Sequence, residues 1–359
     1  MSARTNEPAD PPDDPVDLAE WTLHCYCPTA RQTPHSVVAE GTNGRLLFEA
    51  RAGVTPDALE TRGVPVTEAQ VARLVEFGLL DVDGGVLCTA FPVLGRGDVT
   101  ALRQRLRSLG ERLAGRLTPG TGALRRVLSE AGLERSAYAV VFGYALDELL
   151  WERLADVGAV PAVTLSEARP WWNGAFWAVH PGRDGAAGTN FVPCGGVTLV
   201  QVWTTATVAR LNALTAAPGL RQAVRGLVGG GGTPADAGGA EDPVVDGTGV
   251  TWRLRRRDGR PALPVVGVDG PVDRIAGVLA DTVAKALIGE EAATARAIAP
   301  GADAAIATVV VAHELIWEIT AVLSRSGVIA VPPSLGAPHA DTGPPVDLLY
   351  ARVNRQDPI

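Results

Sequence analysis

At 359 residues the chain is long enough for two or three ordinary domains, each with its own core. Its residues are 46% hydrophobic and 20% charged, a globular composition, and no apolar run is expected to reach the roughly 18 residues that span a bilayer. The net charge of −8 counts against non-specific nucleic-acid binding as the main activity but leaves room for a local basic patch.

The opening stretch MSARTNEPADPPDDPVD is acidic and proline-rich and has no apolar segment, so residues 1–16 are expected to be a disordered leader and not a signal peptide. In the absence of a secretion signal, Cys25, Cys27, Cys88 and Cys194 read as free thiols of a cytoplasmic protein. The stretch HCYC crowds His24, Cys25 and Cys27 more tightly than a zinc loop does, and strand alternation turns His24 away from the two thiols. No metal site is expected. Gly41-Thr42-Asn43 reads as a turn, because Gly and Asn accept positive φ and the Thr and Asn side chains close turns locally; a ligand loop is the alternative.

Thr67 with Gln70 forms a capping box at the start of a helix that sets Val71, Leu74 and Val75 on one face and stops at Gly78. The stretch LLDVDGGVLCTAFPVL then reads as two short strands about an Asp-Gly-Gly turn. A short helix running into a hairpin that ends in apolar-Pro-apolar resembles a winged helix-turn-helix domain, over roughly residues 60–95. Beyond it Val99, Leu102, Leu106, Leu109 and Leu113 recur at three and four, with arginines on the other faces, which predicts helices over 98–157.

Glu148-Leu-Leu-Trp-Glu152 is nearly repeated as Glu314-Leu-Ile-Trp-Glu318, 166 positions later. Other pairs keep the same order. Gly-Thr-Asn recurs at 188–190, FPVL from Phe91 is answered by LPVV from Leu263, and each Trp helix ends in glycine, apolar residues and Val-Pro. The chain therefore reads as a tandem duplication, too short for a solenoid. Repeat unit 1 is placed at 17–166. Repeat unit 2 is placed at 167–336, with a flexible Gly-rich insert at 228–247, a wing-like hairpin at 250–266 about Asp258-Gly259, and helices over 271–326. Residues 337–359 form a C-terminal tail. The expected fold is α+β, a duplicated winged-helix-containing unit arranged as a pseudo-two-fold internal dimer.

Glu148 and Glu152 sit four apart on one helix face, as do Glu314 and Glu318, and His313 precedes the second pair. Brought together across a pseudo-two-fold, these groups would be the raw material for an acid–base pair or a metal site, although the Glu-x-x-His spacing of carboxylate-bridged bundles is absent. The competing reading, usual for i,i+4 charges on helices, has Trp and Leu packing inward while the glutamates face solvent or pair with arginines such as Arg153. Trp171, Trp172 and Trp177, followed by His180, are more aromatic than a strand core requires. They read either as a ligand surface or as an interface core. Arg253, Arg255, Arg256, Arg257 and Arg260 decorate the second hairpin, where a wing commonly meets phosphate or the minor groove; the first hairpin carries Asp81 and Asp83 instead. No Gly-rich phosphate loop or nucleophile elbow occurs.

The leading expectation is a cytoplasmic DNA-binding regulator. Its partner DNA would lie on the arginine wing, and a small-molecule ligand would be lined by Trp171, Trp172, Trp177, Glu152 and Glu318. An enzyme using His180, His313, Glu148 and Glu314 is the alternative, and a protein- or peptide-docking module is the third. No cofactor is identified, no membrane partner is expected, and the internal pseudo-dimer makes further oligomerisation unnecessary.

Overall fold

The computed structural model describes residues 14–167, 169–183, 187–204, 207–216, 219–228, 245–246, 249–250, 254, 261–289, 303–336 and 346–354. Helices and strands are both present, as an α+β chain requires. Two compact units divide it, and neither follows a sequence half. The first takes residues 1–103, 161–182 and 298–309, and the second takes 104–160, 183–297 and 310–359.

In the first unit, β1 (Thr22–Tyr26) is followed by α1 (Pro34–Val38), α2 (Asn43–Glu49), α3 (Pro56–Thr61) and α4 (Glu68–Glu76). Thr67 caps α4 by accepting the Gln70 N–H at 3.2 Å. The Gln70 side chain does not complete a capping box; it bonds Thr42 Oγ1 at 3.1 Å and Asn43 Oδ1 at 2.7 Å and so ties α4 to the start of α2. Gly78 ends the helix at φ +62°. β2 (Leu80–Asp83) and β3 (Val86–Thr89) then pair about Gly84-Gly85, both at positive φ, as a two-residue hairpin demands. A single bridge joins Val54, between α2 and α3, to Leu87 of β3. The short strand β4 (Val93–Leu94) runs parallel to β5 (Ala175–Val179), whose other edge pairs antiparallel with β1. Leu46, Leu47, Leu59, Leu74, Phe77, Leu80 and Leu87 form the core with Trp172 and Phe176.

Asp14 and Pro15 belong to this packing, unlike the disordered leader expected there. Asp14 accepts the Arg96 N–H at 3.1 Å and the Pro15 carbonyl accepts Trp21 Nε1 at 2.9 Å. The thiol expectation is also corrected. Cys25 in β1 and Cys27 just beyond its end form a disulfide, with Cα atoms 5.7 Å apart, while Cys88 and Cys194 are free.

α5 (Arg96–Glu130) begins in the first unit and continues into the second. There follow α6 (Ala137–Ala139), a π-helical stretch Val140–Leu149 and α7 (Leu150–Asp156). The remaining elements are β6 (Ala187–Pro193), β7 (Val197–Thr204), α8 (Val208–Ala216), α9 (Leu220–Val228), β8 (Val245–Asp246), β9 (Gly249–Val250), β10 (Val265–Val266), α10 (Pro271–Ile288), α11 (Ala304–Arg325), α12 (Pro333–Gly336) and β11 (Leu349–Val353). The second sheet has the order β10-β11-β7-β6. Its strand β11 lies in the segment expected to be a tail, and Tyr350 in it is fully buried. Two short strands, β8 and β9, pair at the end of the expected flexible insert, most of which lies outside the described residues, as does Asp258-Gly259.

Contrary to expectation, α11 is long and apolar enough to cross a membrane by length and composition; 67% of its most apolar window is buried within the protein, the mark of a core helix. The π-helical stretch lies close on the second sheet at Gly143. A Cβ there would stand 2.8 Å from Val202 Cγ2 and 3.0 Å from Tyr350 Cε1.

Candidate functional site

The two Trp helices both supply the second unit, and each glutamate pair meets its own arginine. Arg352 of β11 lies 2.7 Å from Glu148 and 4.0 Å from Glu152. Arg183 lies 2.9 Å from Glu314 and 4.0 Å from Glu318. Glu148 and Glu314 are buried, and their helices pack Leu149, Leu150, Leu315 and Ile316 inward. The pairing reading thus describes these helices better than the solvent-facing one. The arginine is not Arg153, which bonds Asp281 at 2.7 Å.

Glu148 stands in a polar nest made by three elements. Tyr350 donates to it from β11 at 3.2 Å, and Asp147 beside it accepts the Thr189 hydroxyl of β6 at 2.7 Å and Trp151 Nε1 at 3.1 Å. Burial pushes the Glu148 carboxyl up to about 7, outweighing Arg352. Burial also pushes Asp147 up to about 6 against its hydrogen bonds with Thr189 and Trp151. The Tyr350 hydroxyl is raised well above the usual phenol range by burial and then by Glu148. Among the described residues no group of three His, Cys, Asp or Glu is placed to hold a metal ion.

The histidines of the enzyme reading are divided. His180 lies in the first unit, its ring 5.4 Å from Trp21 and its Nε2 3.9 Å from Asp14. His313 lies in the second, with its ring 6.2 Å from Trp317, which in turn meets Phe142 at 5.1 Å. Trp171, Trp172 and Trp177 serve the first unit. Trp172 is buried and donates to the Phe77 carbonyl at 2.7 Å, and Trp171 stacks on Phe77 at 5.5 Å and donates to Glu76. Trp177 is buried and stacks on His24 at 5.2 Å. Gly41-Thr42-Asn43 is a turn into α2, with Gly41 at φ +54°, whereas Gly188-Thr189-Asn190 lies within β6. The second copy's backbone is extended because it pairs with β7 along its length. Arg253, Arg255, Arg256, Arg257 and Arg260 lie outside the described residues.

The remaining candidate surface is the α4–β2–β3 element of the first unit. Glu68, Ala69, Ala72, Val75 and Glu76 of α4 are exposed, as are Asp81, Val82 and Asp83 of β2. Val75 and Val82 keep 44% and 50% of their surface. Between Asn43 and Thr89 seven acidic residues stand against four arginines. Two of those arginines are engaged with acids: Arg62 lies 2.7 Å from Glu49, and Arg73 lies 3.6 Å from Glu40 and over the Phe77 ring. The exposed edge is therefore acidic and partly apolar, a combination that repels a phosphate backbone and suits a basic or apolar protein surface. The sequence sets Asp81 and Asp83 apart from the arginine wing, but it assigns Val75 to the apolar face of α4 with Val71 and Leu74 and gives Val82 no role, whereas both valines are exposed. No family model, curated protein or solved structure matches the chain.

Proposed function

We propose that the chain is a protein-docking module of winged-helix type, built by tandem duplication. The order α2, Val54, α3, α4, β2, β3, with Val54 bridged to β3, is the helix–strand–helix–helix–hairpin order of a winged helix and supports the resemblance. The duplication draws support from the sheets. Ala178 of β5 pairs with Leu23 of β1 antiparallel and with Val93 of β4 parallel. Ala351 of β11 likewise pairs with Leu199 of β7 and Val265 of β10. In each set the parallel partner is the Pro-Val strand, and a long helix follows it.

The docking reading rests on one observation: α4 exposes Val75 with Glu68 and Glu76, and β2 exposes Val82 with Asp81 and Asp83. The glutamate pairs give little support to an enzyme or a small-molecule pocket, since an arginine meets each. DNA binding stays as a second reading only through the arginines of WRLRRRDGR. Two comparisons separate them. Proteins co-purifying with the wild type are compared by quantitative mass spectrometry with those held by Asp81→Lys/Asp83→Lys, folding being checked by circular dichroism. Docking expects a defined partner lost on charge reversal, and an unchanged set overturns it. Duplex anisotropy at rising salt gives the second. DNA binding expects a steep salt slope that Arg255→Ser/Arg256→Ser/Arg257→Ser removes, and docking expects none.

A further inference from the structure

Among the described residues β2 ends its sheet, and its neighbours fix its backbone alternation. The Ala90 N–H bonds the Leu79 carbonyl at 3.1 Å, and Leu87 exchanges both backbone bonds with Val54 at 2.8 and 3.0 Å. Leu87 thus directs its peptide groups away from β2, although it stands opposite Val82. Antiparallel pairing alternates, so Asp81 and Asp83 bond toward β3, while the peptide groups of Leu80 and Val82 point away from it; Leu80 is buried and Val82 is 50% exposed, so the accessible part of this edge lies at Val82. Side chains alternate too. Leu80 and Val82 share one face, and Asp81 and Asp83 share the other.

Edge strands are usually blunted by very short length, by charged side chains, above all lysine, by proline or by a bulge. β2 has no lysine or proline, and its four pairs with β3 run without a bulge. Its charges are two exposed acids on one face. A second copy adding antiparallel at this edge would bring acids against acids, which is unfavourable across strands. A segment with a cation at every second position and an apolar residue between would set its cations by Asp81 and Asp83 and its apolar side chain by Val82.

We infer that the edge of β2 at Val82 takes up such an extended, alternating cationic–apolar segment of a partner protein by strand addition. This rests on the docking reading and names its contact. The probe is a fluorescein-labelled peptide of alternating arginine and valine, titrated into the full chain. Its controls are the same peptide N-methylated on alternate residues and a glutamate–valine peptide.

Val82→Pro removes the outward N–H at a position where an edge strand tolerates proline. It should weaken the arginine–valine peptide about tenfold, as should N-methylation, while Asp81→Lys/Asp83→Lys abolishes binding. In the wild type, hydrogen exchange at the Val82 amide should slow when peptide is added, a readout that does not depend on the proline variant folding. Binding indifferent to N-methylation, no slowing at Val82, or no binding of the peptide overturns the strand-addition proposal. If charge reversal still releases the co-purifying partner, the docking reading survives that failure; if it releases nothing, both readings fall. Sedimentation showing a dimer that Val82→Pro dissociates would give the edge to a second copy and overturn the partner assigned here.

Discussion

Burial separates Glu148 from the many helix glutamates that share its spacing. It is 7% exposed and meets Arg352 and Tyr350. Its folded value, about 7, lies above the ordinary carboxyl value, so the folded state binds the proton more tightly than the unfolded chain does. The stability this contributes is present in full below about pH 4.5 and is lost as pH rises through about 7, and Asp147 acts in the same direction up to about 6. Glu148→Gln should therefore flatten the fall in urea-unfolding free energy between pH 5 and pH 8 by about 2 kcal/mol. Arg352→Met should cost about 3 kcal/mol at pH 8, where an ionised carboxylate is left buried, and clearly less at pH 5. Equal losses at both pH values would contradict this account. Gln201 of β7 offers a separate check. It is fully buried with neither amide atom hydrogen-bonded, so Gln201→Met should raise the urea midpoint by the equivalent of about 1 kcal/mol. A loss would mean that the amide has a partner such as an ordered water.

At the scale of elements, local chemistry was the readable part. The Thr67 cap, the Gly78 stop and the Gly84-Gly85 turn each follow from side chains within a few positions, and they stand where the sequence places them. β11 was missed because Leu349–Val353 is short and follows a Gly-, Pro- and Asp-rich stretch, and its burial comes from partners far away in the chain. The arginines that meet the glutamates were missed for the same reason: Arg352 lies 204 positions from Glu148, beyond any helical spacing. The two Gly-Thr-Asn copies show that a shared tripeptide does not fix a shared conformation, since pairing with β7 makes the second one extended. Close approach of the π-helical stretch to its sheet gives a test at this scale. Gly143→Val should cost about 1–3 kcal/mol in thermal or urea unfolding, because its Cβ would stand 2.8 Å from Val202 Cγ2. An unchanged midpoint would show that the helix moves freely there.

For the whole molecule, recurring peptides were legible but the make-up of the compact units was not. Near-identical pentapeptides and Pro-Val steps can be matched by eye, whereas the composition of a compact unit depends on contacts that no local pattern encodes. Residues 104–160 from the first sequence half serve the second unit, and residues 298–309 serve the first. Fragments cut at residue 166 should therefore be poorly soluble when expressed apart and recover a cooperative thermal transition when expressed together. Independent folding of both would contradict the shared units. What the acidic α4–β2–β3 element touches is tested most directly by a photo-crosslinking residue at Val82, activated in cells of the source organism, because it captures protein and nucleic acid alike. The account predicts a protein adduct, with the crosslinked residues in an extended basic segment, lost in Asp81→Lys/Asp83→Lys. A nucleic-acid adduct, or no adduct from position 82, would contradict it.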